Sequence, residues 1–161
     1  MKHIAHRTCR GFTLMEILGV MAIIILLIGL LIPAVLAVKR HAVRTRARHE
    51  VQGLKEAWLS CQLKQHAFPP SITMMDSNAV AILRDANPQG IPYLDFRSGT
   101  PFYCDPWGIP GTTVGVYRVA LDEDNDNQVK VGPFTLSASV AVWSAGPDRI
   151  DFTSDDVASW K

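Results

Sequence analysis

The chain of 161 residues has room for one compact domain of ordinary size and an additional segment, but not for two large domains. Hydrophobic residues make up 48% of it and charged residues 19%, which excludes the composition of a disordered protein. The formal net charge of +1 hides a division, because residues 1–49 contain eight Lys and Arg with one acid, whereas residues 50–161 contain eight Lys and Arg with fourteen acids. The two segments are therefore expected to meet different surroundings.

An apolar run of 22 residues, 17–38, contains no charged side chain. As a helix it would extend about 33 Å, enough to cross the roughly 30 Å hydrocarbon core of a bilayer once. A cleaved signal peptide is the alternative, because a basic start precedes the run and residues 35–37 offer a cleavage site; signal cores, however, usually have about 7–15 residues. Lys and Arg are more numerous after the run than before it, so the positive-inside rule alone favours a cytoplasmic C-terminal side.

The segment GFTLME at residues 11–16 immediately precedes this run and resembles the processing signature of type IV prepilins and type II secretion pseudopilins. The resemblance implies that a prepilin peptidase cuts between Gly11 and Phe12 and that the new amine of Phe12 is methylated. It also implies that Glu16 faces the N-terminal ammonium of a neighbouring subunit in a helical filament. Pro33 matches a proline inside the family's membrane helix, where it removes one backbone hydrogen bond and softens the helix.

Apolar residues continue at helical spacing after residue 38, which predicts an amphipathic extension of the same helix over residues 39–66. Prolines at positions 69 and 70 prevent its continuation. Two interpretations of the basic stretch 39–49 remain: a solvated helix face, which we favour, or a surface that attracts the phosphate of lipid or nucleic acid. The apolar stripe expected to lie under the rest of the chain consists of Val43, Ala47, Val51, Leu54, Trp58, Leu59, Cys61 and Leu63.

Residues 67–161 are predicted to form a globular head. Asp76 is a suitable N-cap for a short second helix, and the β-branched and aromatic segments 113–121 and 134–143 are predicted to be antiparallel strands. A long N-terminal membrane-spanning helix packed on a small antiparallel sheet is an α+β fold, the type IV pilin-like fold of the resemblance. The predicted division is a leader at 1–11, a membrane and filament half-helix at 12–38, an amphipathic half-helix at 39–66 and a periplasmic head at 67–161.

Two segments of the head narrow the resemblance to the major pseudopilins: the DPWG turn at 105–108 and the acidic segment near the end of the chain. In that family the second segment is a calcium loop, which implies that Asp148, Asp155 and Asp156 bind calcium. Carboxylate and carbonyl oxygens are the ligands that this hard cation takes. Arg149 stands where the family usually has glycine, and a solvated acidic turn is the alternative interpretation.

A second acidic run, residues 122–127, superficially resembles the start of an EF-hand loop. Asn127 and Pro133 occupy the positions where that loop needs glycine and glutamate, so the pattern is excluded and a loop between strands is expected.

The cysteines leave two arrangements open. Cys9 would be lost with the leader, whereas Cys61 and Cys104 would remain in the periplasm, where disulfides persist. They form a disulfide if the DPWG turn folds back on the long helix, and are otherwise two separate thiols.

The resemblance implies a structural subunit of a type II secretion pseudopilus, anchored in the bacterial inner membrane by one span with its head in the periplasm. Its expected partners are other copies of itself, other pseudopilins, prepilin peptidase, the inner-membrane assembly platform and the lipid bilayer, but not nucleic acid. No catalytic motif is visible, so an enzyme is not expected. The alternatives are a type IV pilus subunit for adhesion, motility or DNA uptake, and an exported periplasmic calcium-binding domain.

Overall fold

A computed structural model of the protein describes residues 14–96 and 101–161. The chain divides into two compact units, Met1–His41 and Ala42–Lys161. The helices are α1 (Leu14–Gln65) and α2 (Ser77–Arg84), and the strands are β1 (Arg118–Leu121), β2 (Val129–Val131), β3 (Phe134–Leu136), β4 (Val140–Ser144) and β5 (Val157–Ala158).

The described part of the first unit is the apolar beginning of α1. Its side chains are all exposed, and the helix continues through Pro33 without ending. Within the described residues, α1 is the one helix long and apolar enough to cross a membrane, with a mean hydropathy of 3.1 in its most apolar window. Length and composition thus fit a single-pass membrane-anchored protein.

In the second unit, α1 presents most of the predicted apolar stripe to the core. Val51, Leu54 and Trp58 are fully buried, and α1 ends at Gln65 as the following prolines predicted. The prediction that Leu63 belongs to this stripe is wrong, because its side chain is 77% exposed. It follows buried Cys61 by two positions, which places it about 200° around the helix from the core face.

The short helix α2 begins at the predicted cap. The Asp76 carboxylate accepts a hydrogen bond from the Ala79 N–H at 2.9 Å, which satisfies one of the free donors of the first turn. Ala79, Val80 and Leu83 are buried against the same core as α1.

The sheets are shorter and more numerous than the sequence predicted. The stretch 113–121 contributes only β1, since residues 111–115 form a turn with positive φ angles at Gly111 and Gly115. The stretch 134–143 is not one strand: β3 pairs with β2 in a separate two-stranded sheet, and β4 lies between β1 and β5 in an antiparallel sheet. The prediction missed β2 and β5, which have only three and two residues.

Strand β4 is buried on both faces and separates two apolar clusters. Val140 and Val142 pack in the cluster shared with α1 and α2, whereas Ala141 and Trp143 pack with β2 and β5. This assignment follows from the alternation of side chains along a strand. The end of β4 is therefore fixed from both sides, and the acidic loop begins there.

Candidate functional site

The acidic loop, residues 145–156, connects β4 to β5. The pairing of Ser144 with Val157 and of Trp143 with Ala158 brings the two ends of the loop together at its base. Because the two ends of the loop are fixed next to each other, the loop is confined to a small region, and so are its carboxylates.

Hydrogen bonds link the C-terminal side of the acidic loop internally. Thr153 Oγ1 contacts the carboxylates of both Asp155 and Asp156, at 3.1 Å from Asp156 Oδ1, and the Phe152 N–H donates to Asp156 Oδ2 at 2.7 Å. The Asp148 N–H points to Asp155 Oδ2 at 3.4 Å from the opposite side of the loop. The hydrogen bond from Thr153, followed by the backbone and side chain of Asp148, lowers the pKa of Asp155. Asp155 is thus held as a carboxylate.

Gly146 allows the two sides of the loop to approach. Its φ is +70°, and a Cβ at this position would lie 2.9 Å from both the carbonyl oxygen and Oδ2 of Asp155. Any larger residue would have to push Asp155 away.

Arg149 occupies the left-handed backbone region with a φ of +62°. This is the conformation that a glycine adopts without cost, so Arg149 holds a backbone geometry that a glycine at this position could also adopt. Its side chain is exposed and forms no ion pair within the described residues. No described carboxylate is therefore paired with Arg149, but its positive charge within the acidic loop still opposes the binding of a cation.

The donor chemistry of the acidic loop fits calcium. Asp155 and Asp156 share a hydroxyl partner, and Asp148 faces Asp155 across the loop. These groups are all oxygen donors, which is the set that a hard divalent cation takes. Asp156 is buried, whereas Asp148 is exposed and Asp155 is half-buried, so Asp148 and Asp155 are the more accessible ligands.

The second acidic loop brings three carboxylates together, which the sequence analysis did not anticipate. Ligand oxygens of Asp122, Asp124 and Asp126 lie within 4.8 Å of one another. Buried Asp122 accepts hydrogen bonds from the N–H groups of Asp126 and Asn127 at 3.1 and 2.7 Å, so it closes its own turn. The alternation of Asp in this run was the available signal.

The DPWG turn is connected to the acidic loop by a buried hydrogen-bond chain. Ser144 Oγ donates to Asp105 Oδ2 at 2.5 Å and accepts from the Gly146 N–H at 3.0 Å, while Asp105 Oδ1 accepts from the Trp107 N–H at 3.0 Å. Desolvation raises the pKa of Asp105, against the opposing effect of the Ser144 hydroxyl. The turn and the start of the acidic loop are therefore one hydrogen-bonded unit.

Three proteins named as core protein G of the type II secretion system are similar to the chain over nearly its whole length. That of Escherichia coli K12 is 28% identical over 156 residues, covering 94% of this chain and 90% of the relative. Those of Pectobacterium carotovorum and Dickeya chrysanthemi are 25% and 24% identical, covering 94% and 96% of this chain and 84% and 88% of the relatives. No family model and no solved structure matches.

The chain is related to the major pseudopilins. The resemblance inferred from short motifs thus extends over almost the whole sequence, and the α+β arrangement of a long apolar helix and a small antiparallel sheet agrees with it. None of these three relatives is named as an enzyme, which agrees with the expectation of a structural subunit.

The predicted processing and assembly residues lie at the start of the pseudopilin helix. Gly11 and Phe12 fall outside the described residues. Glu16 lies in the first turn of α1 with its side chain exposed, and Pro33 is an exposed position within the helix.

Cys61 on α1 and Cys104 in the head are free thiols in the structure. Cys61 is buried on α1, whereas Cys104 Sγ points to the carbonyl oxygens of Ile109 and Thr112 at 3.8 and 3.6 Å. Burial raises the pKa of both thiols. Of the two arrangements left open by the sequence, the structure has the separate thiols.

A tyrosine pair fixes α1 to the head. The Tyr117 hydroxyl donates to Glu50 Oε2 at 2.6 Å, and Arg46 Nε donates to the other oxygen, Oε1, at 2.8 Å. Tyr103 stacks on Tyr117 with ring centroids 5.5 Å apart. Desolvation, and then the nearby Glu50 charge, raises the pKa of Tyr103 to about 12 and shifts the pKa of Tyr117 upward as well. Sequence patterns gave no signal for this contact, which joins residues 67 positions apart.

Proposed function

We propose that the protein is a subunit of a type II secretion pseudopilus that is cut before Phe12, methylated there and polymerised through α1 to support protein export across the outer membrane. The near full-length similarity to core protein G of three species is the observation that carries this proposal. The chain also combines one apolar helix with a separately packed head, and this arrangement supports the proposal.

Polymerisation needs a helix surface that contacts lipid in the membrane and other subunits in the filament. The apolar side chains of α1 between Leu14 and Val38 are exposed, and apart from the adjacent helix backbone no atom lies within 4 Å of where a Cβ would stand at Gly19 or Gly29. Lipid tails are as apolar as leucine, so association of such helices depends on close packing and on polar contacts rather than on water exclusion. Glu16 would supply a polar contact by pairing with the Phe12 amine of another copy, which fixes the register of the subunits.

The mass of the mature protein tests the processing step. Prepilin-type processing predicts an N-terminus at Phe12 with one added methyl group, whereas a start near residue 38 would show a cleaved signal peptide and overturn the proposal.

Assembly is tested with Glu16→Ala in cells that process the variant normally. Sheared or cross-linked polymers are expected to fall to a small fraction of the parental amount. Glu56→Ala removes an exposed acid elsewhere on α1 and is the matched control. Equal polymer yields for the parent and Glu16→Ala would contradict the assigned role of Glu16.

We also propose that calcium binds the acidic loop through Asp148, Asp155 and Asp156 together with loop carbonyls. Bound calcium would neutralise carboxylates that otherwise face one another. Titration calorimetry of the full chain is expected to show at least tenfold weaker calcium binding in Asp148→Ala and Asp155→Ala, because each loses one charged ligand. Asp126→Ala, in the second acidic loop, is expected to bind like the parent. A loss of affinity confined to Asp126→Ala would move the site to residues 122–126 and overturn the assignment.

A further inference from the structure

A basic cavity lies beside the acidic loop. Its volume is about 360 Å³, within the size range of small-ligand sites. Cationic side chains from three positions line it, those of Arg44, Arg48 and Lys161, together with His49. The larger groove of the head, about 820 Å³, is lined by four acids and two bases. The smaller cavity is thus the one with the charge to take an anion.

Helix periodicity explains why these cations converge. Arg44 and Arg48 are four residues apart on α1, as are Thr45 and His49, and residues at this spacing lie on one side of a helix. Arg46 lies between them in sequence but pairs with Glu50, and it does not line the cavity.

Two of the cations are held in position by the backbone of the acidic loop. Arg44 Nη2 lies 3.5 Å from the Ser154 carbonyl oxygen, and Lys161 Nζ donates to the Thr153 carbonyl oxygen at 3.2 Å. These contacts occupy only part of their donor capacity, since a guanidinium has five N–H groups and an ammonium three. The remaining donors need no large reorganisation to bind a ligand.

One acid lines the cavity, and it does not cancel the cations. Asp156 is buried and its carboxylate accepts the Phe152 N–H and contacts the Thr153 hydroxyl. The three permanent cations therefore exceed the single carboxylate, and Thr45 and Gln52 add neutral hydrogen-bonding groups.

We propose that this cavity binds a phosphate group through Arg44, Arg48 and Lys161. Guanidinium groups bind tetrahedral oxyanions by paired hydrogen bonds, and a lysine adds a point charge. The phosphate comes from an anionic phospholipid headgroup or from free phosphate. Arg44 follows Val38, the last residue of the apolar run, by six positions, so either source is compatible with the sequence.

Native mass spectrometry of the full chain in detergent micelles, with phosphatidylglycerol added, measures the first source, and phosphorus NMR line broadening with inorganic phosphate measures the second. A chelator in all samples excludes phosphate held by calcium. The test variant is Arg48→Gln, because this exposed side chain has no hydrogen bond or ion pair within the described residues, so its loss is expected to leave the head folded. Arg44→Gln is the second variant, and Arg40→Gln removes one cation of the same helix outside the cavity.

The parent is expected to bind at least one probe about tenfold more tightly than either cavity variant, as the loss of one charge-assisted hydrogen bond predicts. Arg40→Gln is expected to bind like the parent. Preference for the lipid identifies a headgroup site, and binding of inorganic phosphate alone identifies a free-phosphate site. Equal affinities in the parent and Arg48→Gln, or an equal loss in Arg40→Gln, would show only general attraction to positive charge and overturn the proposal.

Discussion

Replacing Ser144 by alanine removes the central member of the hydrogen-bond chain between the DPWG turn and the acidic loop. Ser144 is fully buried and Asp105 is 5% exposed, so water cannot replace the hydroxyl without local opening. The variant loses one hydrogen bond to a carboxylate, about 1.5–3 kcal/mol, and one neutral bond from the Gly146 N–H, about 0.5–1.5 kcal/mol. We expect the free energy of unfolding to fall by about 2–4 kcal/mol and the melting temperature by about 6–20 °C.

The assay is thermal unfolding of the full chain in detergent, followed by near-ultraviolet circular dichroism of the tryptophans. Ser159→Ala is the matched control, because Ser159 is also buried but accepts only the neutral N–H of Val142, at 3.1 Å. Its expected cost is about 0.5–1.5 kcal/mol. If Ser144→Ala is no less stable than Ser159→Ala, the chain through Asp105 does not hold the head together and the reasoning is refuted.

The pH dependence provides an independent test. The pKa of Asp105 is raised in the folded head, so the folded state binds its proton more readily than the unfolded chain does. The contribution of Asp105 to stability therefore increases as the pH falls through the raised pKa towards the ordinary value, and decreases as the pH rises. Without the Ser144 donor this pKa rises further, so the penalty of Ser144→Ala should be smaller at pH 4 than at pH 7. A penalty that is the same at both pH values would contradict the charge-assisted character of the hydrogen bond between Ser144 and Asp105.

Three further substitutions test separate features. Tyr117→Phe removes the 2.6 Å bond to Glu50 and is expected to lower the unfolding free energy by about 1.5–3 kcal/mol in urea denaturation; an unchanged midpoint would contradict the contact. Gly115→Ala should lower the free energy of unfolding by about 1–3 kcal/mol more than Gly111→Ala does. Both glycines have positive φ, but only at Gly115 would the added Cβ lie within 3 Å of backbone atoms. Arg149→Gly keeps the +62° backbone without a side chain and should bind calcium more tightly by calorimetry, whereas weaker binding would refute a competing cation.

The sequence was sufficient for features that depend on local periodicity. The apolar run, the end of α1 before the prolines and the cap at Asp76 follow from neighbouring residues, and each is found in the structure. The short strands β2 and β5 were missed, because two or three residues carry too little alternation to distinguish a strand from a loop.

Contacts across the fold were beyond local patterns. The Asp105–Ser144 bond joins positions 39 residues apart, and Tyr117 meets Glu50 across 67 residues. A family resemblance indicated the acidic residues of the candidate calcium loop, but not Thr153 as their shared partner or the close approach that Gly146 permits. Such contacts depend on strand register and on how the loops close, and neither can be predicted from local sequence patterns.

The arginines on opposite sides of α1 have different partners. Arg46 is paired with Glu50, which also holds Tyr117, whereas Arg44 and Arg48 line the basic cavity and each lie about 160° from Arg46 around the helix axis. A single inserted residue between positions 44 and 46 would rotate everything downstream by about 100°, so that Arg44 and Arg48 would no longer share one side of the helix. Length changes in this short interval should consequently be tolerated far less well than most point substitutions there.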